Sequence, residues 1–236
     1  MAKLRHGGIA QVFHLAADSP EPHLVLEHLE ASLSEYIAEG KQLPVGQVVR
    51  AMGQLNDALE AAAAAGELHH RLVPSCVFLD ADHDIKITDF GRGRLHLPTD
   101  LLAPEAACLA PEIRERRPAD ARADLFSVGV IAFGLLTGHL PVVESGFLTR
   151  APRADRFRED LPAGLVDLLA HLLAVRPKKR VASCAELRRG LNALGLAAPA
   201  RARRSNVAQR AATDLAVEVP EMEREDLEAA PGFFVS

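Results

Sequence analysis

Asp89 is a carboxylate at the end of an apolar run, Ile85–Thr88, and it is followed by Phe90 and Gly91. Upstream stand His69-His70-Arg71, then Pro74 and the thiol of Cys76. By type, Asp89 offers oxygen to a hard cation such as Mg²⁺, whereas a thiol is a poor partner for that ion. Asp80, Asp82 and Asp84 alternate as at the start of a calcium loop. Ile85 stands where that loop requires glycine and no Glu closes it, so the run reads as a hairpin turn. The cysteines, Cys76, Cys108 and Cys184, are far apart with no C-x-x-C, which argues against a disulfide framework or a zinc site and fits a reducing compartment. A net charge of −5, no Trp and a single Tyr36 give neither a basic footprint nor a stacking surface for nucleic acid. Arg201, Arg203 and Arg204 read as a solvated charge run. The N-terminus lacks a hydrophobic signal core and no apolar run approaches the ~20 residues of a membrane helix, so a cytoplasmic location is expected.

These residues need elements to hold them. Residues 9–14 and 23–29 read as two antiparallel strands, and 77–80 with 85–88 as a hairpin. A short helix spans 32–41 and ends at Gly40. A long one spans 45–65, with Val48, Met52, Leu55, Leu59 and Ala62 at helical spacing and Gly66 as the stop. Residues 92–112 lack periodicity and contain three prolines, Pro98, Pro104 and Pro111, so a loop is expected there. Residues 121–137 are apolar on nearly every side, the pattern of a helix buried in the centre of a domain. The stretch 143–160 reads as loop, and Leu165, Leu168, Leu169, Leu172 and Leu173 mark an amphipathic helix. Ser183 and Glu186 form a capping box ahead of a last helix closed by Gly195. Beyond about residue 197 a basic and then an acidic run indicate a tail or linker.

In this order and spacing the motifs resemble the protein kinase family over about residues 4–194. Leu68–Asp80 is similar to its catalytic loop and the following strand, Asp89-Phe90-Gly91 to its D-F-G, and Ala110-Pro111-Glu112 to its A-P-E. Residues 4–9 resemble the end of the small-lobe helix and the entry to the fourth strand. Residues 24–30 resemble the fifth strand and hinge, with Leu26 at the gatekeeper position. Asp124 and Gly129 match the residues that open the central helix, and Arg180 the arginine that pairs with Glu112. The resemblance implies an α+β, protein-kinase-like fold with a mainly helical large lobe and a small lobe reduced to about two strands. It implies a small-lobe remnant and hinge over 1–30, the large lobe over 31–197 and a charged tail over 198–236. It places Leu26, Glu27, Leu29, Phe78 and Asp89 at the nucleotide site, Asp89 as the metal ligand, and His69 against Phe90. Phe90, Gly91, Glu112, Asp124 and Arg180 are its structural anchors.

The same resemblance exposes departures. The catalytic Asp position falls on Arg71, the following Lys on Val73 and the metal-binding Asn on Cys76. A guanidinium cannot accept a proton from a substrate hydroxyl at ordinary pH. No glycine-rich loop or V-A-I-K lysine is present, so the chain reads as N-terminally truncated or mis-started. In the activation loop the family's Thr falls on Glu105 and its Tyr on Cys108, with Thr99 the sole hydroxyl residue before Ala110. Glu105 is either an ion-pair partner for Arg71 or solvated. The expectation is a pseudokinase that binds a protein partner, an active kinase or a client, and needs no cofactor. Self-association is a further expectation, from apolar surface left uncovered. The alternative is a serine/threonine protein kinase that uses ATP and Mg²⁺.

Overall fold

A computed structural model describes residues 4–16, 21, 23–80, 84–90, 108–141 and 152–196. Gly91, Thr99, Glu105 and the tail 198–236 lie outside the described residues, and with them the expected Arg71–Glu105 pair.

Val12–Ala16 (β1) and His23–Leu26 (β2) pair antiparallel, with Leu15 opposite Leu24. β1 begins later than its apolar run suggests. Ile9 and Ala10 are drawn instead to Ile87, whose carbonyl accepts from the Ala10 amide at 2.9 Å while its own amide donates to Gly8 at 2.9 Å. β2 also stops short of Leu29. Beyond Leu26 the chain leaves β1, and the Glu30 amide bonds Leu79 at 3.1 Å. That crossing joins the first ribbon to a second, Val77–Leu79 (β3) and Ile85–Ile87 (β4), which is antiparallel with Val77 opposite Ile87.

Two helices lie between the ribbons. Leu33–Ala38 (α1) is followed by a left-handed Gly40. Val45–Ala64 (α2) buries Val48, Met52, Leu55, Leu59 and Ala62 on one stripe and gives way at a left-handed Gly66. A short helix, Pro111–Arg114 (α3), occupies the end of the stretch read as loop. Proline is compatible with a first helical turn, where its missing N–H has no intrahelical role.

Ala121–Thr137 (α4) is the axis of the fold, and every residue from Ala123 to Thr137 is buried. The Asp120 carboxylate caps it, accepting from the Arg122 amide at 3.0 Å. It ends at Gly138 (φ 73°), where a Cβ would lie 2.5 Å from the Gly40 carbonyl oxygen. Only glycine meets both the left-handed backbone and that close approach. At Gly129 a Cβ would lie 2.7 Å from the Leu172 Cβ, so the absent side chain is what seats Ala163–Leu172 (α5) on the axis.

Cys184–Ala193 (α6) starts from the expected Ser183 cap, while the Glu186 half of the expected capping box reaches one residue further back, to Ala182 instead of Ser183. Ser183 Oγ accepts from the Glu186 amide at 3.2 Å, and the Glu186 carboxylate accepts from the Ala182 amide at 2.6 Å. Arg188 on α6 bonds Asp57 at 2.9 Å and also Glu60, tying it to α2. The result is an α+β fold, a helical body around α4 with two small ribbons beside it. Among the described residues no helix is long and apolar enough to cross a membrane.

Candidate functional site

The site begins where α2 has ended and the chain must cross the base of α4. His69 is fully buried, and its amide donates to Asp124 at 2.9 Å. The next amide, that of His70, donates to the other Asp124 oxygen at 2.6 Å. A single carboxylate in the first turn of the central helix therefore fixes two consecutive peptide groups of the loop. Burial pushes the Asp124 carboxyl above its ordinary range, outweighing the opposing pull of the His69 and His70 rings and amides.

The His69 imidazole is held at both nitrogens. Nε2 lies 2.8 Å from the Thr88 carbonyl, which can only accept, so Nε2 carries the proton. Nδ1 then accepts from the Arg71 amide at 3.3 Å. The ring packs on Phe90 with centroids 4.8 Å apart, as the family resemblance implied. Burial lowers the His69 pKa, so the folded ring is neutral.

A pH dependence follows. The unfolded ring takes a proton near its ordinary 6.5, and the folded ring takes it only at lower pH. Below 6.5 the unfolded chain thus binds more protons, and stability present above that value is lost as pH falls toward the folded pKa. Asp124 works in the opposite sense but from its ordinary 3.8 upward. The melting temperature is expected to fall between pH 7.5 and pH 5.5, and to fall less in His69→Phe, which keeps the ring contact and cannot titrate. An equal fall in both proteins would refute the assignment.

Arg71 is only 5 % exposed, so the cation at the expected catalytic-Asp position is built into the loop and does not project from it. Val73, at the position of the expected Lys, is completely buried among core residues. Cys76 closes the loop: its thiol lies 3.8 Å from the Arg71 carbonyl and 3.7 Å from the Asp89 carboxylate. The Cys76 thiol and the Asp89 carboxylate are thereby neighbours. Asp89 has a left-handed backbone (φ 65°), as does His70 (φ 58°). These are two of the three such non-glycine residues among the described ones. Strained backbone of this kind persists only where the surroundings over-determine it.

The other proposed nucleotide-site residues are spread around the hinge. Leu26 lines a small cavity with Leu4, Ile9, Ile87, Asp89 and Phe90. Leu29 and Phe78 are half-buried. The Glu27 carboxylate is engaged elsewhere, accepting from Lys86 Nζ at 3.0 Å and from the Gln11 amide at 2.8 Å. No sequence signal pointed to that clamp, because its three members come from different elements.

Glu112 and Arg180 meet as a bidentate pair at 2.5 and 2.8 Å, with side chains 3 % and 0 % exposed. The remaining guanidinium donors reach the carbonyls of Ala174 (2.7 Å), Val175 (3.1 Å) and Arg122 (3.1 Å). The cation also sits 4.7 Å from the centroid of the Phe126 ring. Together, Asp124 and the Glu112–Arg180 pair lock the loop of residues 69–76 and α3 to α4.

A family model described as the protein kinase domain matches residues 1–189. The chain is 34% identical over 205 residues to the serine/threonine-protein kinase Pkn1 of Myxococcus xanthus, covering 79% of this chain and 29% of that protein. It is 30% identical over 208 residues to the serine/threonine-protein kinase PknL of Mycobacterium tuberculosis, covering 82% and 52%. The chain therefore spans about half or less of these two relatives. Among solved structures, the kinase domain of Mycobacterium tuberculosis PknI is similar with a TM-score of 0.64 and 27% identity, over 82% of this chain and 74% of that one. A doubly substituted form of that domain gives a TM-score of 0.65 at 28% identity, over 81% and 74%.

Proposed function

This chain belongs to the protein kinase family, and on that premise we propose that it is a non-catalytic member that acts by binding a protein partner, an active kinase or a client of one. The observation that carries the reading is Arg71. Phosphoryl transfer to a hydroxyl needs a carboxylate beside the nucleophile and oxygen ligands for Mg²⁺. Here a buried guanidinium holds the first position and the Cys76 thiol holds one of the second. A guanidinium has no acceptor. Asp89 remains as an oxygen ligand, but with a thiol at 3.7 Å in place of an amide oxygen the donor set does not fit a Mg²⁺-nucleotide. The β1–β2 ribbon leaves Phe13 and Leu15 57% and 62% exposed, apolar surface of the kind that protein partners cover.

The retained Asp89 and the relatives' names favour one alternative, a serine/threonine protein kinase that transfers the ATP γ-phosphate to protein. The discriminating sample is full-length protein carrying these residues. The expected result is no Mg²⁺-dependent thermal shift with ATP and no labelled phosphate transferred to protein substrates. Incorporation that disappears in Asp89→Ala would establish the alternative.

A further inference from the structure

The Glu112–Arg180 pair brings together two surface segments that are far apart in sequence. The Arg180 guanidinium touches Glu112, the Arg122 carbonyl and its own turn at Ala174 and Val175. Residues 114–117 leave α3 on a backbone that folds back on it, with the Arg117 amide donating to the Glu112 carbonyl at 2.8 Å and Arg116 left-handed (φ 54°). The turn Pro177–Lys179 immediately precedes Arg180. Arg180 therefore joins the segment that carries Arg116, Arg117 and Arg122 to the segment that carries Arg176, Lys178 and Lys179.

Two carboxylates answer this set. Glu115 pairs with Arg117 at 2.6 Å and Asp120 with Arg122 at 2.6 Å. Arg116, Arg176, Lys178 and Lys179 are exposed and carry no ion pair among the described residues. Four uncompensated cations on two segments joined by Arg180, in a chain whose net charge is −5, concentrate positive charge locally, which attracts anionic ligands whatever the overall charge. The large apolar residues exposed in the structure, Phe13, Leu15, Leu24, Val25 and Phe157, belong to other segments. Among the described residues these two segments therefore offer no large exposed apolar side chain to insert into a bilayer, and no exposed aromatic ring on which a base would stack.

We propose that these two joined segments form one basic face, and that this face docks an acidic segment of a protein partner, a run of Asp and Glu side chains. The proposal deepens the reading of the chain as a binding module: nucleotide and phosphotransfer assays decide that reading, and peptide binding decides this one. The test measures fluorescence anisotropy of a labelled deca-glutamate peptide with the full chain. Two quadruple variants lose the same charge: R116Q/R176Q/K178Q/K179Q on the face, and R5Q/K41Q/R156Q/R189Q elsewhere. The first is expected to weaken binding by about tenfold or more, as four exposed charge contacts would, and the second to leave it within about twofold. Binding by the wild type should also weaken between about 50 and about 300 mM salt, as the shorter screening length requires. Equal losses in the two variants, or no loss in either, would overturn the proposal. So would tighter binding of phosphatidylserine vesicles or of single-stranded oligonucleotide than of the peptide. All four residues on the face are exposed, so unchanged melting of the first variant verifies that its fold is intact.

Discussion

Replacing Glu112 with Ala is expected to lower the free energy of unfolding by about 3–5 kcal/mol, the usual cost of leaving one member of a buried ion pair alone. The reason lies in how completely Arg180 is used. Its five N–H donors reach both Glu112 oxygens and three backbone carbonyls, and its side chain is 0 % exposed. Without Glu112 the cation stays buried with its charge unmet. Arg180→Lys should be nearly as harmful, because an ammonium has three donors and no planar fork. Replacing both residues, Glu112→Leu with Arg180→Met, should recover part of the loss, since no lone charge remains. The carbonyls of Ala174, Val175 and Arg122 would still lack their donor, which keeps the recovery incomplete. Urea denaturation with unchanged slope reads all four proteins. A loss below about 1 kcal/mol in Glu112→Ala would mean that the pair contributes no more than a surface bridge.

Asp124→Ala is the second large effect, and it connects stability to the site. The substitution removes the acceptor for the buried amide of His69 and the part-buried amide of His70. An orphaned buried donor costs about 1–3 kcal/mol, and the part-buried one adds less, since water can reach it. Asp124→Asn keeps one acceptor oxygen and turns an amino group toward the other amide, so its cost falls between. Hydrogen exchange gives the specific readout: in Asp124→Ala the His69 and His70 amides should exchange much faster than in the wild type, while amides in the middle of α2 follow only the global change. Unchanged protection at His69 and His70 would show that the loop is held by something other than this carboxylate.

Much of the frame was legible in the chain. The span 121–137 shows the helix because its residues are apolar all round and Gly138 follows, and the Ser183–Glu186 box marks the start of α6 by local chemistry alone. The motif order that carries the family resemblance is also linear information, and the family model and the solved kinase domains agree with it. What was not legible depends on long-range partners. Ile9 and Ala10 look like the start of a strand, yet Gly8 and Ala10, on either side of Ile9, bond Ile87, and so β1 begins at Val12. α3 was hidden by the prolines around it. Glu27 falls at the hinge by alignment, but nothing in its neighbours shows that its carboxylate turns to Lys86 and Gln11. The joining of the two basic segments is likewise invisible along the chain, because Arg180 reaches Glu112 and Arg122 across long sequence separations.

Val73 ties the chemistry of the loop to its folding. It is 0 % exposed, with Cys76 at 4% and Arg71 at 5%. A lysine at position 73 would place an ammonium in the core, at an effective desolvation penalty of several kcal/mol. An Asp at 71 and an Asn at 76 would put a carboxylate and an amide where a packed guanidinium and thiol now sit. Each of these substitutions is therefore expected to cost folding stability, whatever it does to the chemistry. Burial of these three side chains makes the loop part of the core, where any change of reactive group is first a change of packing.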